Sequence, residues 1–216
     1  MISEVPYFWV FLGVLPVIAF LDICVGHGGA SGYLALMSLF SIAPETMKPT
    51  AVLLNLFVAG IVFYFYNKEG YFNKKLSLSF AIPSISTAYI GGTIEVETGV
   101  YKIILGVLLI FAILKILNVF GKESVDIRKM KLWQGLLVGA VIGFFSGLIG
   151  IGGGIILSPV ILLLHWGKMK EVAGVSTLFI WVNSAVGLAG QFSNGITLNS
   201  QSFLMVALAV IDVFFR

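Results

Sequence analysis

Charge is what this sequence has least of. Asp, Glu, Lys and Arg make up 11% of its 216 residues, where an ordinary soluble domain carries about 25%. With 59% hydrophobic residues and 25 glycines, and a mean hydropathy of +1.05, that scarcity excludes a water-soluble enzyme and makes lipid the solvent. Cysteine is equally scarce. Cys24 stands alone inside an apolar stretch, which excludes an internal disulfide. The start, Met1-Ile2-Ser3-Glu4-Val5-Pro6, carries an acid instead of the basic n-region of a cleavable signal peptide, so the first apolar segment is expected to be retained. The formal charge of +3 is a weak argument for nucleic acid, and no nucleic-acid partner, cofactor or metal is expected. A spanning helix needs ~20 residues. The length therefore allows about ten segments and no separate soluble domain.

Division at polar and turn residues gives nine apolar segments, about 7–25, 29–43, 50–66, 76–94, 99–118, 132–150, 154–166, 172–192 and 201–215. The expected fold is all-α, a polytopic helical membrane protein. The second and seventh segments are short, and each follows a glycine cluster that would break a continuous helix. In lipid such breaks are tolerated only where they are buried in protein or line a wet cavity.

The two short segments hold matching places in an internal repeat. Gly26-His27-Gly28-Gly29-Ala30 aligns with Gly150-Ile151-Gly152-Gly153-Gly154 at an offset of 124. Met47-Lys48-Pro49-Thr50-Ala51 aligns with Met169-Lys170-Glu171-Val172-Ala173 at 122, and Gly70 with Gly195 at 125. The expected organisation is membrane repeat one over 1–120, a cytoplasmic loop over 121–131 and membrane repeat two over 132–216. If the segments alternate sides, eleven of the thirteen basic residues fall on one face, and only Lys48 and Lys102 on the other. The positive-inside rule then puts the N-terminus outside and the C-terminus in the cytoplasm of a plasma-membrane protein. Five segments in repeat one, an odd number, make the halves inverted. Repeat two would end near 242, so its last helix is expected to be missing from the chain. Inverted repeats with glycine-interrupted segments at equivalent positions point to a secondary transporter with a site near the midplane.

Glycine lets the backbone approach closely and adopt positive φ. The helix that resumes after each break aims free N–H groups and the positive end of its dipole into the cavity, which favours an anion. Gly26, Gly28, Gly29, Gly150, Gly152, Gly153 and Gly154 are therefore candidate substrate-binding residues. The stretch Phe145-Ser146-Gly147-Leu148-Ile149-Gly150-Ile151-Gly152-Gly153-Gly154-Ile155-Ile156-Leu157-Ser158-Pro159, followed by Ala173-Gly174-Val175-Ser176-Thr177-Leu178-Phe179-Ile180-Trp181-Val182-Asn183-Ser184-Ala185-Val186-Gly187-Leu188, resembles the sulfite exporter TauE/SafE family of membrane permeases. Gly26 to Gly32 and Leu53-Leu54-Asn55-Leu56-Phe57-Val58 extend the resemblance over nearly the whole chain. It implies a plasma-membrane carrier for small anions, typically sulfite, sulfonates or other organosulfur compounds, with a duplicated helical architecture. The first half departs from the family pattern at His27 and Ala30, and has no counterpart of Pro159.

Asn55, Ser158, Ser176 and Asn183, with Thr177 and Ser184, are candidates to donate hydrogen bonds to an oxyanion; the competing role is to hold helices together. Asp22 and His27 are candidates for proton coupling, because an intramembrane acid normally faces a partner or water. His165 and Trp166 suit an interfacial belt. Gly29-Ala30-Ser31-Gly32 looks like the Gly-x-Ser-Gly signature of rhomboid intramembrane serine proteases, but a serine nucleophile needs a histidine base within reach, and the chain holds only His27 and His165. A passive channel is the other competitor, without the rings of like charge that line such pores. The expected protein is not an enzyme. It is a permease for a small anion working by alternating access, with the bilayer, the anion and a coupling proton or cation as its partners.

Overall fold

The computed structural model describes residues 30–40, 42, 44–116 and 127–195, together with Val10, Gly13, Val14 and Val17 of the first segment. Every described element is a helix. In chain order they are α1 (Ala30–Leu39), α2 (Pro44–Lys68), α3 (Lys74–Thr93), α4 (Thr98–Ile116), α5 (Leu132–Ile149), α6 (Gly154–Leu163) and α7 (Met169–Ser193). Among the described residues, Glu45–Lys68, Leu132–Ile149 and Met169–Ser193 are long and apolar enough to cross a membrane. The segments at 201–215 and most of 7–25 lie outside the described residues, as do Gly26, Gly28, Gly29, Asp22 and His27.

Helix starts differ from expectation where polar residues cap a turn. The α2 helix begins six residues before the apolar run does, since Pro44 suits a first helical turn and Lys48 and Thr50 are buried inside it. The α5 and α7 helices start on one-sided caps, in which the N3 side chain reaches back to the N-cap N–H. Gln134 Oε1 accepts from Lys131 N at 3.1 Å, and Glu171 Oε2 from Lys168 N at 3.2 Å. At the start of α3, Asn73 Oδ1 accepts from Leu76 N at 3.1 Å.

Direction follows from the contacts. The α3, α5 and α7 helices run parallel, and α2 runs against them. Most basic side chains, among them Lys68, Lys74, Lys75, Arg128, Lys131, Lys168 and Lys170, gather at one end of this bundle, and Lys48 and Lys102 lie toward the other. The α5–α6 pair goes in and comes back, for Arg128 N just before α5 donates to His165 O just after α6 at 2.7 Å. The α1 helix points the opposite way from α6 and ends beside the start of α2. Lengths repeat as well. The α1 and α6 helices each hold 10 residues and start 124 residues apart, while α2 and α7 each hold 25 and start 125 apart. Gly70 and Gly195, just past α2 and α7, share a φ of 77°. This register sets Met47-Lys48 one turn deeper than Met169-Lys170, so that pair, which the sequence aligns at 122, is not equivalent in the helices.

Glycine fixes α5 against α3. Gly135, Gly139, Gly143 and Gly147 recur every fourth residue and so share one face of α5. A Cβ on Gly139 would strike the Phe80 carbonyl, one on Gly147 the Ala88 carbonyl, and one on Gly143 would lie 2.6 Å from Ser84 Cβ. On the other flank of α3 a Cβ at Gly92 would come within 2.6 Å of Gly187 O, and one at Gly190 within 2.6 Å of Tyr89 O. Small residues at such positions are how helices associate closely where lipid removes the hydrophobic drive. Two apolar clusters fill the remainder. One joins α1, α2, α4 and the end of α5 around Met37, Leu54, Leu105 and Ile149; the other joins α3, α5, α6 and α7 around Phe80, Leu157 and Phe179. Trp166 belongs to the second, stacked on Phe80 with ring centroids 6.1 Å apart. It is buried rather than part of an exposed belt, because the chain folds back against α3 after α6.

Gly147→Leu should therefore part α3 from α5 and cost about 3 kcal/mol or more, whereas Gly106→Ala on α4, with nothing near its Cβ position, should be neutral or stabilising by up to ~1 kcal/mol. Melting temperatures of the two variants in detergent check the contrast.

Candidate functional site

The α5 helix ends at a left-handed residue, Gly150, with φ 82° and its N–H donated to Ser146 O at 2.8 Å. Gly152 and Gly153 follow at φ 76° and 77°, and Gly153 caps the start of α6. Three positive φ values within four residues are the reason for glycine here, since other residues reach that region at a cost. Gly153 O accepts from Ile156 N and Leu157 N at 3.2 and 3.0 Å. The N–H groups of Gly154 and Ile155 thus precede the first intrahelical bond of α6, at the positive end of its dipole.

The depth of this break is set by its neighbours. A Cβ on Gly152 would lie 2.9 Å from Asn55 Nδ2 and 2.7 Å from Ile180 Cγ2. Asn55 and Ile180 are each the twelfth of 25 residues in α2 and α7, so the break faces the midpoints of both long helices. Asn55 is fully buried, and neither of its amide atoms has a hydrogen-bond partner. Such a group costs about 1–3 kcal/mol when left unsatisfied. Gly153 sits beside Phe179, Ile142 and Ser146, whose buried hydroxyl is also unpaired. Of the sequence-derived candidates, Gly150, Gly152, Gly153, Gly154 and Asn55 come together. Ser158 and Ser176 instead meet each other, Oγ to Oγ at 2.8 Å, and bridge α6 to α7. Asn183 spends its Nδ2 on Phe179 O at 2.7 Å and leaves Oδ1 unpaired; Thr177 donates to Gly174 O at 3.0 Å.

The family model for the sulfite exporter TauE/SafE matches residues 10–215. The chain belongs to the sulfite exporter TauE/SafE family. It is 35% identical over 178 residues to a probable membrane transporter protein of Sinorhizobium fredii, a match covering 81% of this chain and 72% of the relative. A probable membrane transporter protein of Methanocaldococcus jannaschii is 27% identical over 135 residues, covering 61% of this chain and 49% of the relative. No solved structure matches the chain. Family membership makes this TauE/SafE protein a membrane transporter and not an enzyme, so the protease reading of Gly29 to Gly32 falls.

Two features of this TauE/SafE chain escape sequence reasoning. Ser146 is one, although it opens the glycine motif; nothing in the sequence says that it faces the break. The other is a cavity of about 200 Å³ at the end of the bundle away from the lysine cluster, which Lys48, Tyr101, Leu148, Glu45, Glu95 and Asn194 help to line. Tyr101 Oη, buried, donates to Ile149 O at 2.9 Å and so ties the start of α4 to the end of α5. The available signal for Lys48 is its isolation from the other basic residues.

If Ser158 and Ser176 hold α6 to α7, a double-mutant cycle to alanine should return a coupling of about 0.6 kcal/mol, at most ~2, measured by unfolding in detergent.

Proposed function

We propose that this chain is a secondary permease that moves a small anion, sulfite or a sulfonate or a related organosulfur anion, by alternating access. The observation that carries the reading is the helix break at Gly150 to Gly153 facing the midpoints of α2 and α7, with the start of α6 and the unpaired Asn55 amide beside it. Free N–H groups, a dipole and an amide donor in a low-dielectric interior suit an oxyanion. The matched lengths of α1 with α6 and of α2 with α7, and the opposed directions of the short pair, support an inverted duplication over 1–120 and 132–216. In this reading Gly26, Gly28 and Gly29 form the equivalent break, with Asp22 and His27 as proton-coupling groups. The lysine-rich end faces the cytoplasm by the positive-inside rule, with the N-terminus outside. Ser158, Ser176 and Asn183 support the wall on the α7 side.

Proteoliposomes loaded with sulfite, thiosulfate, a sulfonate or a carboxylate test the proposal directly. Flux of at least one anion should saturate and show counterflow; unsaturable conductance would sink the carrier reading. Asn55→Leu separates structure from function. Removing an unsatisfied buried amide for an apolar group of like size should leave stability unchanged or raise it by ~1 kcal/mol, while transport falls about tenfold or more. Equal transport by a folded Asn55→Leu protein removes Asn55 from the site.

A further inference from the structure

Lys48 is the one charged side chain that is buried among the described residues, 8% exposed on the second turn of α2. A buried ammonium is costly unless something compensates its charge. Its Nζ donates to Ile94 O at 3.3 Å, a neutral carbonyl just past α3. The carboxylates that share its cavity, Glu45 and Glu95, are both exposed, and Glu95 acts on the lysine electrostatically. Drug-sized ligands fill about 300–1,000 Å³, so a cavity of about 200 Å³ suits an anion of a few heavy atoms. The helix break adjoins this cavity through the residues of its wall. Leu148 lines it, Tyr101 Oη holds Ile149 O, and a Cβ on Gly150 would lie 3.1 Å from Lys48 Cγ.

We propose that this cavity is a second anion subsite, in which Lys48 holds the substrate on the side of the break away from the lysine cluster. The inference rests on the carrier reading above and adds a way station to it. The ammonium supplies the full charge that the glycine break lacks. Glu95 acts on Lys48 electrostatically and is the competitor that a bound anion has to displace. The same lysine touches both the cavity and Gly150, so an anion bound here lies next to the break.

The test uses the full chain in detergent and in liposomes, with sulfite, thiosulfate and ethanesulfonate as probes. Binding is read from the rise in melting temperature with probe concentration, without need of transport. Lys48→Met should weaken probe binding about tenfold or more, as loss of a charge-assisted bond implies. Lys48→Arg should keep it within about threefold of the wild type, and Glu95→Gln, at an exposed position, should strengthen it. Equal binding by Lys48→Met and wild type, weaker binding by Glu95→Gln, or no binding of any probe to the wild type overturns the subsite. Liposome flux tells the two proposals apart. Transport by Lys48→Met at an unchanged KM removes the subsite and leaves the carrier; no flux of any probe by the wild type removes the carrier reading, and the titration then judges Lys48 alone.

Discussion

A helix can be interrupted inside hydrocarbon only if protein covers the interruption, because lipid offers nothing to the backbone groups it exposes. The architecture follows from that constraint. Two 25-residue helices, each ~37 Å long at 1.5 Å per residue, supply the cover, and the break meets both at their midpoints. The hairpin that carries the break is set at this depth by α3, whose Phe80, Ser84 and Ala88 receive the glycine face of α5. Gly150 then lies against Lys48 and Val52, and the chain descends one turn to Asn55 before α6 begins.

Against that background the polar inventory divides in two. Ser79, Ser84, Thr87, Thr93, Thr177 and Asn183 donate to carbonyls three or four residues back in their own helices, the local bond that lets a hydroxyl or amide sit in an apolar interior. Ser158 and Ser176 satisfy one another. Asn55, Ser77, Ser146, Ser184 and Gln191 have no such outlet, and of these Asn55 and Ser146 border the break. Distinguishing these sets needs coordinates, since serine and asparagine look the same in a sequence whether or not a carbonyl is within reach.

Much of the scaffold is legible without coordinates. Apolar runs and glycine punctuation place α3 to α6 within about three residues, and the short α1 and α6 helices are expected from their glycine clusters. The start of α2 is not, because Glu45 and Lys48 resemble a loop until one sees that a proline opens the helix and that Lys48 is enclosed. Faces are illegible for a different reason. These helices are apolar all round, so no polar stripe marks the side that meets a neighbour, and the return of α6 to Arg128 or the burial of Trp166 has no signature in hydropathy. The glycine break itself is readable; that it meets Asn55 and, 125 residues on, Ile180, one polar and one apolar, is a fact of packing.

The α3–α5 joint is stiff, because glycine lets the two backbones meet. Four glycines, two against the Phe80 and Ala88 carbonyls and two against Ser79 and Ser84, make a contact with no side chain on the α5 side and little that can yield. Its strength comes from dispersion and close backbone approach, which owe little to water. A joint of this kind transmits displacement rather than absorbing it. The α5 helix held in this way ends at the left-handed Gly150, so the joint with α3 also fixes where the break begins.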